Sequence, residues 1–232
     1  MTRVRVFGDA GELGAELADE IVALEPKLLG CPGGRSLVST YRALAGTGAD
    51  LSGTTIVMMD EYVPLPPPSA HYSCRGFALR EIAGPLGIPE DRVWVPDPDQ
   101  PAAYDERIDA AGGIDLFLLA SGASDGHVAF LPPGSPLDGR TSVVRLAETT
   151  RRDNVATFPA FASAEDVPEH GVSVGLATIA ASKRVRLVIH GAAKRAAAAR
   201  VTSLAEFDPA WPASVVHACD DAEIWLDAEA AA

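Results

Sequence analysis

Residues 27–45 read KLLGCPGGRSLVSTYRALA. Lys27 to Cys31 is a short apolar run, Pro32-Gly33-Gly34-Arg35-Ser36 breaks it, and Leu37 to Ala45 returns with apolar side chains at helical spacing. Strand, glycine loop and helix thus follow one another, and the rest of the chain repeats the alternation. Upstream, Val4 to Phe7 alternates like an edge strand, and Glu12 to Leu24 sets Leu13, Leu17, Ile21 and Leu24 on one helical face. Downstream come the β-branched and Met-rich run Thr54 to Met59, a proline-rich loop from Pro64 to Pro68, and a helix around Ser73 to Ala83. Ile114 to Ala120 and Val185 to His190 are almost wholly apolar, as strands covered on both faces should be. Ala192 to Leu204 reads as a helix, while Val215 to Ala218 and Glu223 to Leu226 read as strands finishing the sheet. Repeated βα units predict an α/β fold, a three-layer αβα sandwich with a mostly parallel, doubly wound sheet. No tandem repeat or long biased linker interrupts residues 1–232, so a single domain is expected.

The chain has 232 residues, 47% of them hydrophobic and 22% charged, which suits a packed core and excludes disorder. Its 19 basic and 32 acidic residues give a net charge of −13, repelling phosphate backbones and anionic lipid heads alike. Nucleic acid and membrane surfaces are therefore set aside as partners, and solubility by itself accounts for the acidity. Cys31, Cys74 and Cys219 lie far apart, with no spacing that suits zinc, which fits a reducing compartment. The N-terminus lacks the apolar core of a signal peptide, and no apolar run approaches the ~18 residues of a membrane span. A cytoplasmic protein is expected, and a homo-oligomer is compatible with the sequence.

In open α/β sheets ligands bind beyond the carboxyl ends of the strands, so residues just after strands carry the functional reading. Four segments qualify. Gly33-Gly34-Arg35-Ser36 joins a turn that a ligand can approach closely to a helix N-terminus, a planar guanidinium and a hydroxyl, a set suited to an anion; a plain tight turn explains such a glycine pair about as often. Asp60-Glu61 puts adjacent carboxylates at a strand tip, where mutual repulsion can raise a pKa and make a general base; a turn-forming aspartate is the plainer reading. Asp125-Gly126-His127 follows the buried strand and pairs an imidazole with a carboxylate that can set its tautomer. Lys194 opens a helix, where a cation is disfavoured unless an anion shares the space; a solvated surface lysine explains it about as often.

Taken in order, these segments resemble the glucosamine-6-phosphate deaminase/isomerase and 6-phosphogluconolactonase superfamily, from roughly Gly30 to beyond Lys194. Met59-Asp60-Glu61-Tyr62-Val63 is similar to the deaminase MDEY-V element, followed by His71-Tyr72-Ser73 where the family commonly has a Ser-Tyr or similar pair. Asp125-Gly126-His127-Val128-Ala129-Phe130 resembles the DGH-IAF segment, and Pro133-Gly134-Ser135-Pro136-Leu137 with Arg140-Thr141 continues it. Val172 to Ile179 and Gly191 to Lys194 resemble the TVG-GTL element and the G-x-x-K lysine. The resemblance implies that Asp60, with Glu61 beside it, moves a proton between C2 and C1 of an open-chain sugar phosphate. It implies that Asp125 and His127 assist ring opening, and that Gly33 to Ser36, Arg140 and Lys194 hold the substrate and its phosphate. Proton transfers of this kind call for no metal and no cofactor.

Ser121-Gly122-Ala123-Ser124 replaces the usual glycines before Asp125, and two further positions depart from the deaminase pattern. Its Glu after the histidine falls on Pro132, which can neither accept a proton nor orient an imidazole, and its phosphate arginine falls on Ala156 after Asn154. Arg35 could supply that cation from another direction. The resemblance thus implies an aldose-ketose isomerase or deaminase whose substrate is open to change. The alternatives are a 6-phosphogluconolactonase-type hydrolase, in which His127 activates water, and a noncatalytic sugar-phosphate sensor.

Overall fold

The computed structural model describes residues 2–158 and 160–232. The first half contributes β1 (Arg3–Phe7), α1 (Ala10–Leu24), β2 (Leu28–Cys31), α2 (Val38–Gly46), β3 (Thr55–Met58) and β4 (Asp60–Val63). It continues with α3 (Cys74–Ala78), prolonged by a π turn over Leu79–Ala83, then β5 (Val93–Trp94), α4 (Pro101–Ala110) and β6 (Leu116–Ala120). The second half adds β7 (Ser142–Arg145), α5 (Glu148–Thr157), β8 (His170–Ser173), α6 (Leu176–Ala180), β9 (Val185–Ile189), α7 (Arg195–Thr202), β10 (Ala222–Asp227) and α8 (Ala228–Ala231). Local chemistry sets several of these boundaries. Asp9 caps α1 by accepting from the N–H groups of Gly11 and Glu12, and Ser73 caps α3 through the N–H of Gly76.

Seven strands form an all-parallel sheet in the order β1-β10-β9-β6-β2-β3-β5. The chain winds outward from β2 through β3 to β5, then restarts on the other side of β2 at β6 and winds through β9 to β10. Between β2 and β6 the winding reverses, and connections leaving these neighbours diverge, which opens a crevice at their carboxyl ends.

Alternation along the buried strands divides the core into two layers. Leu29, Ile56, Met58, Leu116, Leu118 and Trp225 pack with Leu17 of α1, Tyr41 of α2 and Phe77 of α3. Their neighbours Leu28, Val57, Phe117, Leu119, Ile224 and Leu226 pack instead with Ile108 of α4, Ile179 of α6 and Val201 of α7. Helices therefore cover both faces, and the sandwich has three layers.

The structure corrects the expected strand at Val215 to Ala218, because Pro212–Ala218 is a 3-10 helix. Pro212 occupies its first turn, where a fixed φ and a missing N–H are tolerated. Val215 and Val216 reach the second apolar layer from that helix, so their β-branched character serves the core without strand pairing.

A second sheet, β4-β8-β7, is antiparallel and went unread in the sequence. Met59 alone separates β3 from β4, so the strand leaving the main sheet passes directly into the small one. Among the described residues no helix is long and apolar enough to cross a membrane.

Candidate functional site

A cleft of about 540 Å³ opens at the carboxyl ends of β2, β3, β6 and β9. It brings together Gly33, Gly34, Arg35 and Ser36 after β2, Asp60 after β3, Ser121, Gly122 and His127 after β6, and Lys194 after β9. These segments are far apart in sequence and meet where the sheet winding reverses.

Asp60 is the first residue of β4 and only 6% exposed. Burial is the main cause that pushes its pKa up to about 7. The Cys74 thiol, donating to Asp60 Oδ1 at 3.3 Å, pulls in the opposite direction, and the charge of Glu61 adds a smaller upward push. Repulsion between adjacent carboxylates, the cause expected from the sequence, is thus the lesser part.

Glu61 itself does not line the cleft. Successive strand residues face opposite ways. Its carboxylate turns inward and accepts from the N–H groups of Tyr62, Cys74 and Arg75 and from Ser73 Oγ. Three of those four donors belong to the start of α3, so Glu61 serves as a buried helix cap rather than a second reacting carboxylate.

His127 lies beyond β6, with Nδ1 2.7 Å from Asp125 Oδ1. The same oxygen accepts from the His127 N–H at 3.1 Å, and Asp125 Oδ2 accepts from Thr149 Oγ1. Burial would raise the Asp125 pKa, but the hydrogen bonds and charge of His127, aided by Thr149, outweigh it and hold the carboxyl well below its usual range. An ionised carboxylate can only accept, so Nδ1 carries the proton and Nε2 is left as the acceptor. Two glycines make this geometry accessible. Gly126 has φ 66°, and a Cβ on it would land 2.3 Å from the Trp211 ring. A Cβ on Gly122 would come within 2.2 Å of His127 Nδ1. Ala129, also in the cleft, holds the left-handed region at φ 51° without glycine's freedom.

Lys194 bridges two loops, its Nζ donating to Ser36 Oγ at 3.1 Å and to the Ser121 carbonyl at 2.8 Å. Burial, the largest influence, lowers its pKa to about 8; Asp153 opposes that shift and Arg35 reinforces it. His190 Nε2 donates to the Ser36 carbonyl at 3.0 Å and further fixes the glycine loop. Arg35 and Lys194 thus form one cationic end of the cleft, with Asp153 facing it.

Arg140 does not join them. It pairs with Asp109 at 3.0 Å and with buried Asp105 at 3.5 Å, both on α4, and is absent from the cleft wall. The expected substrate contact is instead a tie between α4 and the segment before β7.

Of the wall made by α5, the sequence pointed only to Asn154 and Ala156, through the position of the family's phosphate arginine. Thr150, Arg152, Asp153, Asn154, Ala156 and Thr157 all line the cleft, and Thr157 lies against Gly34. Arg152 stands one helical turn before Ala156, on the same face, and is ion-paired with Glu148. The signal available was the polar periodicity of Glu148–Thr157, which without tertiary context reads as a solvated helix. Among the described residues no group of three or more His, Cys, Asp or Glu side chains is arranged to hold a metal ion.

Residues 10–225 match the family of glucosamine-6-phosphate isomerases/6-phosphogluconolactonase. A glucosamine-6-phosphate deaminase from Shouchella clausii is 34% identical over 239 residues, covering 98% of this chain and 94% of that protein. Another, from Pseudarthrobacter chlorophenolicus, is 37% identical over 231 residues, covering 95% and 87%. Among solved structures, a monomeric glucosamine-6-phosphate deaminase superposes with a TM-score of 0.90 at 28% identity, covering 99% of this chain and 98% of that one. A 6-phosphogluconolactonase from Trypanosoma brucei shares the fold, with a TM-score of 0.77 at 22% identity and 100% and 98% coverage.

Proposed function

This chain belongs to the family of glucosamine-6-phosphate isomerases and 6-phosphogluconolactonases, and on that premise we propose that it is an aldose-ketose isomerase or deaminase of sugar phosphates. The observation that carries the proposal is the shared cleft. Asp60 and His127 line it together, and Arg35 and Lys194 form its cationic end.

In the proposed reaction the phosphate lies against Arg35, Lys194 and the glycine loop. His127 Nε2 takes the proton of the C1 hydroxyl and delivers it to the ring oxygen as the bond between C1 and that oxygen breaks. The Asp60 carboxylate takes the C2 proton, the C2–H electrons form a C1–C2 double bond, and the C1 oxygen is protonated. Returning the proton to C1 from Asp60, while the C2 hydroxyl gives up its own proton to solvent, leaves a carbonyl at C2. If C2 bears nitrogen, an iminium forms there instead, and water hydrolyses it with release of ammonia. A base with a pKa of about 7 suits this work near neutrality, because it is ionised yet still basic.

A lactonase is the second reading, favoured by Pro132. The glutamate that deaminases carry there has no counterpart, whereas activation of water needs only the His127–Asp125 pair. Incubation with amino-sugar phosphates, aldose phosphates and 6-phosphogluconolactone in deuterated water separates the two. Deuterium appearing at C2 supports the isomerase or deaminase. Acid released from the lactone with no exchange in any sugar replaces it with the hydrolase.

Replacing Lys194 by Ala is expected to raise KM for phosphorylated substrates by about tenfold or more with a smaller change in kcat, the pattern of a uniform binding contact. With its pKa near 8, Lys194 is charged at pH 7 and loses its proton as pH rises through that value. The wild-type KM should therefore climb above about pH 8, and Lys194→Ala should lack that climb. An unchanged KM would remove Lys194 from the phosphate site.

A further inference from the structure

Tyr62 Oη, Thr150 Oγ1 and Asn154 Nδ2 are buried and have no hydrogen-bond partner among the described residues. All three residues line the cleft, whereas the other unmet atoms of this kind, Thr40 Oγ1 and Trp211 Nε1, belong to residues outside it. Tyr62 is 0% exposed and Thr150 1%. Burying one polar group without a partner is unfavourable, and three on the wall of one cleft point to a ligand that meets them.

Their placement narrows what the ligand must offer. Tyr62 follows Asp60 by two residues on β4 and shares its face. Asn154 faces the Tyr62 hydroxyl without reaching hydrogen-bond geometry, and it follows Asp153, whose charge acts on Lys194. Thr150 stands one turn before Asn154 and next to Thr149, which donates to Asp125. The three residues thus adjoin, along the chain, Asp60, the Thr149 that holds Asp125, and the Asp153 that acts on Lys194.

We propose that Tyr62, Thr150 and Asn154 form a subsite for the hydroxyl groups on C3 and C4 of the bound sugar, and so select the epimer accepted. The proposal rests on the sugar-phosphate reading above. A secondary alcohol both donates and accepts, matching two hydroxyls and an amide N–H. A methylene at that level would leave all three unmet. A site built to hydrogen-bond a hydroxyl discriminates strongly against a ligand that lacks or misplaces it.

Calorimetric titration of the full chain with glucitol 6-phosphate and galactitol 6-phosphate tests this. The two differ only at C4 and have no carbonyl to react. The wild type is expected to prefer one by about tenfold or more. Tyr62→Phe and Thr150→Val remove a hydroxyl with little change of shape, and each should shrink that preference to within about threefold by weakening the preferred epimer. Each should also keep or raise the thermal midpoint of the unliganded protein, since an unmet polar group is lost. A preference that survives in both variants, no preference in the wild type, or lower unliganded midpoints would overturn the subsite. Failure of the wild type to bind either hexitol phosphate would instead remove the sugar-phosphate reading, and the subsite with it.

Discussion

Asp60→Asn is expected to stop deuterium exchange at C2 and lower turnover by about 10²- to 10⁴-fold, the range a general base contributes. It should also make the folded protein more stable above neutral pH. Both effects come from one buried carboxyl whose pKa stands at about 7 against 3.8 when exposed. Below about pH 3.8 the group is protonated in folded and unfolded chains alike, and it does not affect stability. Between the two values the folded chain holds the proton more tightly, so stability falls as pH rises. Above about pH 7 the buried charge carries its full penalty, at most on the order of 4 kcal/mol from the shift. Asparagine is neutral throughout. Its advantage in thermal midpoint should be greatest above pH 7 and vanish near pH 4. The same titration sets the acid limb of the wild-type rate, since only the ionised carboxylate accepts the C2 proton. A variant that still exchanges at C2 would dismiss Asp60 as the base, and a midpoint gap that does not vary with pH would dismiss its buried titration.

Asp125→Asn should cost about 10²- to 10⁴-fold in kcat with little change in KM, because it reverses the tautomer of His127 without moving the backbone. In the native chain the Asp125 carboxylate accepts from Nδ1 at 2.7 Å, which leaves Nε2 free to take a proton. An asparagine can turn its amide N–H toward Nδ1 and favour the proton on Nε2 instead. The imidazole then enters the reaction as a donor where an acceptor is required. Proton-coupled nitrogen spectra of the His127 ring would record the change directly. Unaltered tautomer and unaltered kcat together would show that His127 acts without Asp125.

The units of the main sheet were legible because each apolar run, glycine loop and amphipathic helix follows from local spacing. Placement along them was not. Asp60 and Glu61 are equivalent as letters. Only the pairing of β4 with β8 decides which residue faces the cleft and which one caps α3. Arg140 is expected from the resemblance to touch the substrate or its phosphate, whereas Asp105 and Asp109 of α4 hold it away from the cleft. Val215 and Val216 have the composition of a strand, yet Pro212 starts a 3-10 helix that buries them equally well. Helix α5 has Thr150 as its one buried residue, and nothing in its own pattern marks the side that closes the site.

The amino-acid order by itself determined the βα alternation, the parallel sheet and the loops that reach its carboxyl edge, since backbone preferences and hydrophobic periodicity act between near neighbours. Tertiary structure alone decided which carboxylate became basic, that Arg140 stays away from the cleft, and which polar side chains of α5 line it. Burial and long-range pairing fix those properties, and neither exists until distant segments meet.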